Sequence, residues 1–483
     1  MKSRLIYLIT ALLVVVCAVT FAAVGGDGNA RVLQHETPLP EGETREGDTH
    51  LPIVRVNTNG APIPHVDNDG KPLDGLPEGT PLDTPCIVET VSKEGAWHSE
   101  SDAADLSAPA TIRIRGNSSR HFDKKSYLLK LKNGNGDDAD YAVMGMSSAS
   151  EWVLNGPFVD RTMMRNYLCY SVAGQTMDYA PNMCYCRLYL NGEYRGLYLM
   201  TEAVTKDEGR IDLTEPEKGR AITSWLIRWD RDGKGDTPLE NYTHYTYQSG
   251  VSGLDLRYPG KNTLTAERKA YVEAELNEIE RAIYSTDRSD PVKGYASYLD
   301  TSEFAKYFVI NEFFGNVDAG RFSTFYYKDM RGKVKPCVWD FNNACDNYID
   351  YVYDDSGFNM VQSPWFGQLL KDRNFVDAVI YEYRTMRKGV LSDSYLEAFL
   401  DDTREYLGAE IDRNYEVWGY VFEATAADDT NYLHPFERNY GSYDEAVAQL
   451  KSWMKARGAW MDAHIETLRQ YCSDSKNAAQ AAE

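Results

Sequence analysis

Residues 300–347 read DTSEFAKYFVINEFFGNVDAGRFSTFYYKDMRGKVKPCVWDFNNACDN, and the order of elements within them decides the fold. Asp300 is a helix N-cap residue, because its carboxylate can accept from a backbone N–H left unpaired in the first turn. Phe304, Tyr307, Phe308, Phe313 and Phe314 follow at a spacing that lays an apolar stripe along the helix, and Gly315 stops it. The loop Asn316-Val317-Asp318-Ala319-Gly320 comes next. Phe322 to Lys328 and Val334 to Trp339 then read as two strands around Met330-Arg331-Gly332-Lys333, and Asp340 lies just past the second. One carboxylate therefore follows a helix and a second follows the next hairpin, 22 positions later.

A hairpin returns the chain beside its starting point, so Asp318 and Asp340 are expected at one site. A protein kinase arranges its catalytic-loop carboxylate and its metal-binding carboxylate in this order. Asp318 would orient the attacking hydroxyl, and Asp340 would hold Mg²⁺ on the phosphates. The competing reading is a turn-capping Asp318 and a solvated strand end at Asp340. Phosphoryl transfer rests on charge neutralisation and positioning, so cations must face the triphosphate. Arg113, Arg115, Arg120, Lys124 and Lys125 cluster on a strand-loop-strand, and its tip, Gly116-Asn117-Ser118-Ser119, offers N–H groups and hydroxyls to phosphate oxygens. Neither GxxxxGK[ST] nor GxGxxG occurs, and a basic loop of this kind is otherwise simply solvated.

The remaining chain frames this site. Its 483 residues allow two or three core-forming units, and 43% hydrophobic with 26% charged residues excludes wholesale disorder and a polytopic membrane protein. A net charge of -22 argues against a nucleic-acid partner. The 34 Tyr predict extensive half-buried sheet or a contact surface. Lys2 and Arg4 precede an apolar run from Leu5 to Val24, which reads as a signal peptide or a signal anchor and places the body outside the cytoplasm. Residues 25–50 read as a flexible linker. Outside the leader an odd number of cysteines remains, so at least one thiol is unpaired or bridges another chain. Cys184 and Cys186 share a strand face and read as structural. The eight His form no metal-hydrolase signature.

Leu51 to about residue 100 reads as β-rich. Thr111–Arg115 with Ser126–Lys132 forms a strand pair, and the segments flanking Asn191-Gly192 form a hairpin with a type I′ turn. Asp160 is expected to open a helix through Leu168. Thr265 is expected to cap a helix over Ala266 to Tyr284, and Ser442 with Glu445 a helix running to about Tyr471.

Arg113-Ile-Arg-Gly-Asn-Ser-Ser119, Lys124-Lys125-Ser-Tyr127, Trp152-Val-Leu154, Asp160, Arg165-Asn166, Tyr189 to Glu202, Gly315-Asn-x-Asp318 and Trp339-Asp340 stand in the order that resembles the spore coat protein H (CotH) kinase family. The resemblance covers about residues 51–400. It implies an α+β, remote, atypical protein-kinase-like two-lobed fold, with a β-rich N-terminal lobe at about 51–210 and a more helical C-terminal lobe at about 211–400. A helical extension at 401–472 and a polar tail at 473–483 complete the chain. It also implies transfer of the ATP γ-phosphate to Ser or Thr of coat or surface proteins with Mg²⁺ or Mn²⁺. Asp318 falls at the family's catalytic Asp and Asp340 at its metal-binding Asp, with Asn342 beside it. Lys125 or Lys124 falls at the phosphate-contacting Lys, with Arg113, Arg115, Asn117 and Ser118 on the same nucleotide-binding segment and Glu202 near the adenine. Two departures stand out: Ser323 or nothing occupies a place where the family often has a metal-binding Asn, and Asn342 a place where it often has Asp. An amide supplies no charge to a metal. These departures, and the scarcity of ATP outside the cytoplasmic membrane, support an alternative: a non-catalytic spore-coat or cell-surface structural or adhesion protein that keeps the kinase-like shell. Glycoside hydrolysis by paired carboxylates is a third reading with no further support in the chain.

Overall fold

The computed structural model describes residues 31–67, 71–73, 75–231, 237–240, 252–423 and 432–474. The expected signal segment at 1–24, the start of the linker at 25–30 and the tail from 475 lie outside the described residues. Among the described residues no helix is long and apolar enough to cross a membrane.

Seven strands close into a barrel: β1 (Ile53–Asn57), β2 (Thr84–Val91), β3 (Leu106–Arg115), β4 (Ser126–Leu131), β5 (Glu151–Asn155), β6 (Met183–Leu190) and β7 (Glu193–Glu202). Neighbouring strands run antiparallel except at the seam, where β1 lies parallel to β6. Alternation sends Val54, Val56, Val88, Ile112, Leu129, Trp152, Leu154 and Met200 into the barrel. Cys184 and Cys186 point inward with them, as the shared-face reading expected. On the outer side Met183, Tyr185, Leu197 and Leu199 join a second, larger core. The β6–β7 turn places Asn191 at φ 53° and Gly192 at φ 81°, the positive pair that a type I′ turn needs.

The larger core gathers α1 (Arg165–Gly174), α2 (Ala266–Tyr284), α3 (Thr301–Phe313), α4 (Pro364–Leu369), α5 (Arg373–Arg387), α6 (Asp393–Leu407), α7 (Ala409–Trp418) and α8 (Tyr443–His464). One face of a four-stranded antiparallel sheet packs on it, in the order β11 (Lys335–Cys337), β10 (Thr324–Lys328), β8 (Trp225–Arg231), β9 (Ser252–Tyr258). The architecture is thus α+β, with a β-barrel N-terminal part and a more helical C-terminal part.

The three expected caps are in place: Thr265 accepts from Arg268 N, Asp300 from Glu303 N and Ser442 from Glu445 N. Asp160 does not open α1, which begins at Arg165. Met163 sits at φ 60°, which no helix tolerates, and the Asp160 carboxylate instead accepts from Thr162 N and Arg165 N. Within the segment read as a linker, residues 31–35 and 48–50 are buried or half-buried, whereas 36–39 and 41–47 are exposed. Arg31 donates to the carbonyls of Ala180 (2.7 Å), Pro181 (3.2 Å) and Tyr170 (2.8 Å), and Gln34 bonds both polar groups of the Tyr185 backbone. Residues 401–472 contribute Leu407, Ile411, Leu450, Met461 and Leu468 to the same core as α3. The seven described cysteines are all free and buried.

Candidate active-site cleft

Where the barrel meets the helical part, a cleft opens among Arg115, Asn155, Asn166, Tyr170, Trp339 and Asp340. Each wall has a local cause. Ile112 and Ile114 point toward the barrel interior, so alternation turns Arg113 and Arg115 outward at the end of β3. On the opposite wall, β11 ends and the chain turns at Asp340, whose φ of 63° breaks the strand.

The turn is held by α1. Tyr170 Oη accepts from Asp340 N at 2.9 Å, and Asn166 Oδ1 accepts from Phe341 N at 2.9 Å. Arg165 ion-pairs with Asp160 at 2.7 Å and donates to the carbonyls of Ala344 and Cys345. Three residues of one helix thereby fix residues 340–345. Asn342 donates to Asp340 Oδ1, and its own Oδ1 accepts from Asn166. Its carbonyl side is engaged, so Asn342 orients Asp340. The Asn342 backbone N–H also donates to the Asp340 carboxylate. Burial, with Asp318 and Asp230 nearby, pushes the Asp340 carboxyl up to about 6 against the pull of Arg115.

Asp318 follows α3 as the sequence expects. Its backbone carbonyl accepts from Phe322 N at 2.8 Å, closing the loop, while Asn343 donates to its carboxylate at 3.3 Å. Arg231 lies 4.0 Å from Oδ2. Burial raises the Asp318 pKa, Arg231 opposes the shift, and Asp230 adds to it. Asp318 and Asp340 sense each other's charge, so the hairpin has returned the second carboxylate to the first.

The expected cations separate into two groups. Arg115 lies over the Trp339 ring at 5.3 Å and makes no hydrogen bond or ion pair within 4 Å among the described residues. Arg113 faces outward, 3.7 Å from Asp83. Lys124 does not face the cleft: its side chain is buried under Tyr198, and Nζ donates to Leu197 O (2.6 Å) and Asn414 Oδ1 (2.8 Å). Burial lowers its pKa to about 7. Lys125 Nζ donates to Arg120 O at 2.9 Å. Arg120 folds back onto Gly116 O (2.8 Å) and Asp67 O (3.0 Å), so the basic loop spends two of its cations on its own backbone. Gly116 has φ 112°, and a Cβ there would meet Ser119 Oγ at 2.0 Å. Asn117 leads into the short turn Ser118–His121, with Ser118 exposed. Glu202 is fully buried and accepts from Ser147 N, Asn182 N and Tyr179 Oη, which pins the end of β7.

In and beside the cleft, Asn155, Asn166, Tyr170, Asp230, Arg231, Trp339 and Asn343 were given no site role in the sequence. Arg231 and Arg321 flank the Phe322 ring at 4.5 and 4.8 Å, beside Asp318. Asn166 and Trp339 stood within the motif blocks Arg165-Asn166 and Trp339-Asp340; the others arrive by tertiary packing. Among the described residues no group of three His, Cys, Asp or Glu side chains is arranged to hold a metal ion. A half-buried carboxylate such as Asp340 nevertheless suits Mg²⁺, which uses one or two carboxylates together with substrate phosphates.

A protein-family model, CotH kinase protein, matches residues 112–461, which includes every residue of this cleft. A search of the curated proteins finds no match.

Proposed function

The chain belongs to the CotH kinase protein family, and we propose on that premise that it is an atypical protein kinase that transfers the γ-phosphoryl group of ATP to a Ser or Thr hydroxyl of a protein. The observation that carries this reading is the meeting of Arg115, which makes no ion pair within 4 Å among the described residues, with the half-buried Asp340 and Asp318 in one cleft. A lone carboxylate pair would repel a triphosphate; Arg115 supplies positive charge opposite them. The acceptor oxygen attacks the γ-phosphorus, the bond to the β,γ-bridging oxygen breaks and ADP leaves. The acceptor proton passes to the Asp318 carboxylate, whose affinity for it burial has raised. Arg115 neutralises phosphate oxygens, and Asn342 and Tyr170 hold Asp340 in place. Mg²⁺ or Mn²⁺ held by Asp340 would supply further charge neutralisation on the phosphates. The acceptor class is a coat or surface protein, and the apolar N-terminal segment would hold the body at a membrane, outside the cytoplasm.

The test is phosphotransfer from γ-labelled ATP with Mn²⁺ or Mg²⁺. Label on Ser or Thr that disappears in Asp318→Ala and Asp340→Ala supports the reading. Label that survives both substitutions, or its absence from the wild type under every metal, sinks it. One observation favours the non-catalytic alternative: Asn342, the second expected metal ligand, has its side-chain oxygen committed to Asn166. Saturable thermal stabilisation by ATP with metal argues against that alternative, because only a ligand of the folded state raises its stability.

A further inference from the structure

We infer that Arg321, on the loop between α3 and β10, recognises a carboxylate side chain of the acceptor protein close to its Ser or Thr hydroxyl; the inference rests on the kinase reading and names acceptor chemistry that reading left open. The loop holds its residues firmly. Gly320 N donates to Thr324 Oγ1 at 2.8 Å, Thr324 Oγ1 donates to Phe322 O at 2.9 Å, and Ser363 Oγ donates to Ala319 O at 2.9 Å. Arg321 N and Phe322 N both donate to the Asp318 carbonyl, at 3.3 and 2.8 Å, so the proton-accepting Asp318 and Arg321 belong to one closed turn. Ser323 follows at φ 48°, a conformation that costs a residue with a side chain free energy and separates the loop from the strand. All of β10 is buried, yet Phe322 remains half-buried and Arg321 exposed.

The charges beside Asp318 single out Arg321. Arg231 and Arg321 both lie over the Phe322 ring, at 4.5 and 4.8 Å. Arg231 is divided between Asp230 at 3.7 Å and Asp318 at 4.0 Å. Arg321 makes no side-chain hydrogen bond and no ion pair within 4 Å among the described residues; its one side-chain contact there is the ring. It is still close enough to Asp318 to favour that group's ionised form. A guanidinium restrained on an aromatic face loses less freedom when it pairs with a carboxylate, and its fork matches the two carboxylate oxygens. Tyr348 and Tyr353 also border Asp318, and their loop carries Asp350, Asp354 and Asp355. Those carboxylates repel a uniformly acidic acceptor. The chemistry that fits is therefore a single Asp or Glu placed near the hydroxyl.

The experiment measures kcat/KM on the full chain for short peptides with one central Ser and a single Glu, Gln or Lys at each neighbouring position. At one position or more, Glu is expected to exceed Gln by about 3- to 10-fold, the range of a partly exposed charged pair, and the advantage should shrink as salt is raised. The ratio is expected to fall to about 1 in Arg321→Gln and to turn in favour of Lys in Arg321→Glu. Equal rates for Glu and Gln peptides at every position, or a Glu preference that both substitutions leave intact, overturns the inference while the phosphate transfer itself upholds the kinase reading. Fluorescence anisotropy with the same peptides, labelled, gives Kd values that do not depend on turnover. Tighter binding of a Glu peptide that reverses in Arg321→Glu, in a chain that transfers no phosphate, would retain this contact and defeat the kinase reading; a chain that neither binds nor phosphorylates any of the peptides defeats both.

Discussion

Asp340 carries the clearest consequences at the scale of one residue. Its folded-state pKa is raised to about 6 from 3.8, chiefly by burial, so the folded chain holds this proton more tightly than the unfolded chain does. Between about pH 4 and pH 6 the folded state binds more protons, and this group's contribution to stability falls as pH rises through that window. Asp340→Asn removes the penalty and can keep the Asn342 contact. We expect the metal-free variant to be about 1–3 kcal/mol more stable than wild type at pH 7.5, with the difference vanishing below about pH 4. Thermal melts at both pH values check this, and a variant less stable at pH 7.5 contradicts it. Binding of Mn²⁺ by the wild type should weaken as pH drops through about 6, where the metal-free Asp340 takes up its proton. Asp318→Asn keeps the shape of the loop but cannot accept a proton. Its kcat is expected to fall about 10²–10⁴-fold with ATP affinity nearly unchanged, and a loss confined to KM would argue against the assigned role. Both carboxylates were legible because each sits next to a local boundary, a helix end or a strand end. Lys124 and Lys125 were not separable in the same way. They sit where a loop becomes a strand, and only packing under Tyr198 decides that Lys124 turns inward.

At the scale of elements, what was legible was what is local. Thr265, Asp300 and Ser442 cap their helices because the side chain and its N–H partner lie within three residues. Asp160 carried the same signal but caps an irregular turn, since Met163 at positive φ interrupts the helix pattern. The stretch beginning at Arg31 has the composition of a linker. Its order comes from groups far along the chain: three carbonyls take its guanidinium, and Val32 N donates to Asn182 Oδ1 at 3.1 Å. One of those carbonyls belongs to Tyr170, whose hydroxyl holds Asp340, so this segment buttresses the cleft. Arg31→Ala leaves those buried carbonyls without their donor and is expected to cost about 2–4 kcal/mol. Denaturant melts measure the cost, and limited proteolysis should show earlier cleavage near residue 36. A change below about 0.5 kcal/mol would mean that the segment is only laid on the surface.

For the whole molecule, the question is whether the helical C-terminal part is an appendage or part of the folding unit. A boundary near residue 400 was a natural expectation, because the motifs end there and nothing local ties α7 or α8 to the barrel. The ties are buried charges. Glu410 on α7 receives both Nε (2.7 Å) and a terminal nitrogen (2.6 Å) of Arg187 on β6, together with the Thr49 hydroxyl at 2.7 Å. Asn414 on α7 accepts from Lys124 and from Leu197 N. Arg457 on α8 pairs with Glu312 of α3 at 2.7 Å, and both side chains are almost wholly buried. Deleting residues 401–483 strips partners from Arg187, Lys124 and Glu312 at once. A buried charge that loses its partner costs about 3–5 kcal/mol, and two such losses, with the Lys124 hydrogen bond to Asn414 besides, compare with the roughly 5–15 kcal/mol that separates a folded domain from its unfolded chain. A chain ending at residue 400 is therefore expected to show no cooperative melt and no monodisperse peak on size exclusion, whereas the single change Glu410→Gln should melt cooperatively at a lower temperature. A well-folded 1–400 chain would place the folding boundary where composition and motif order had placed it, and would show that the buried pairs join two units that are each stable alone.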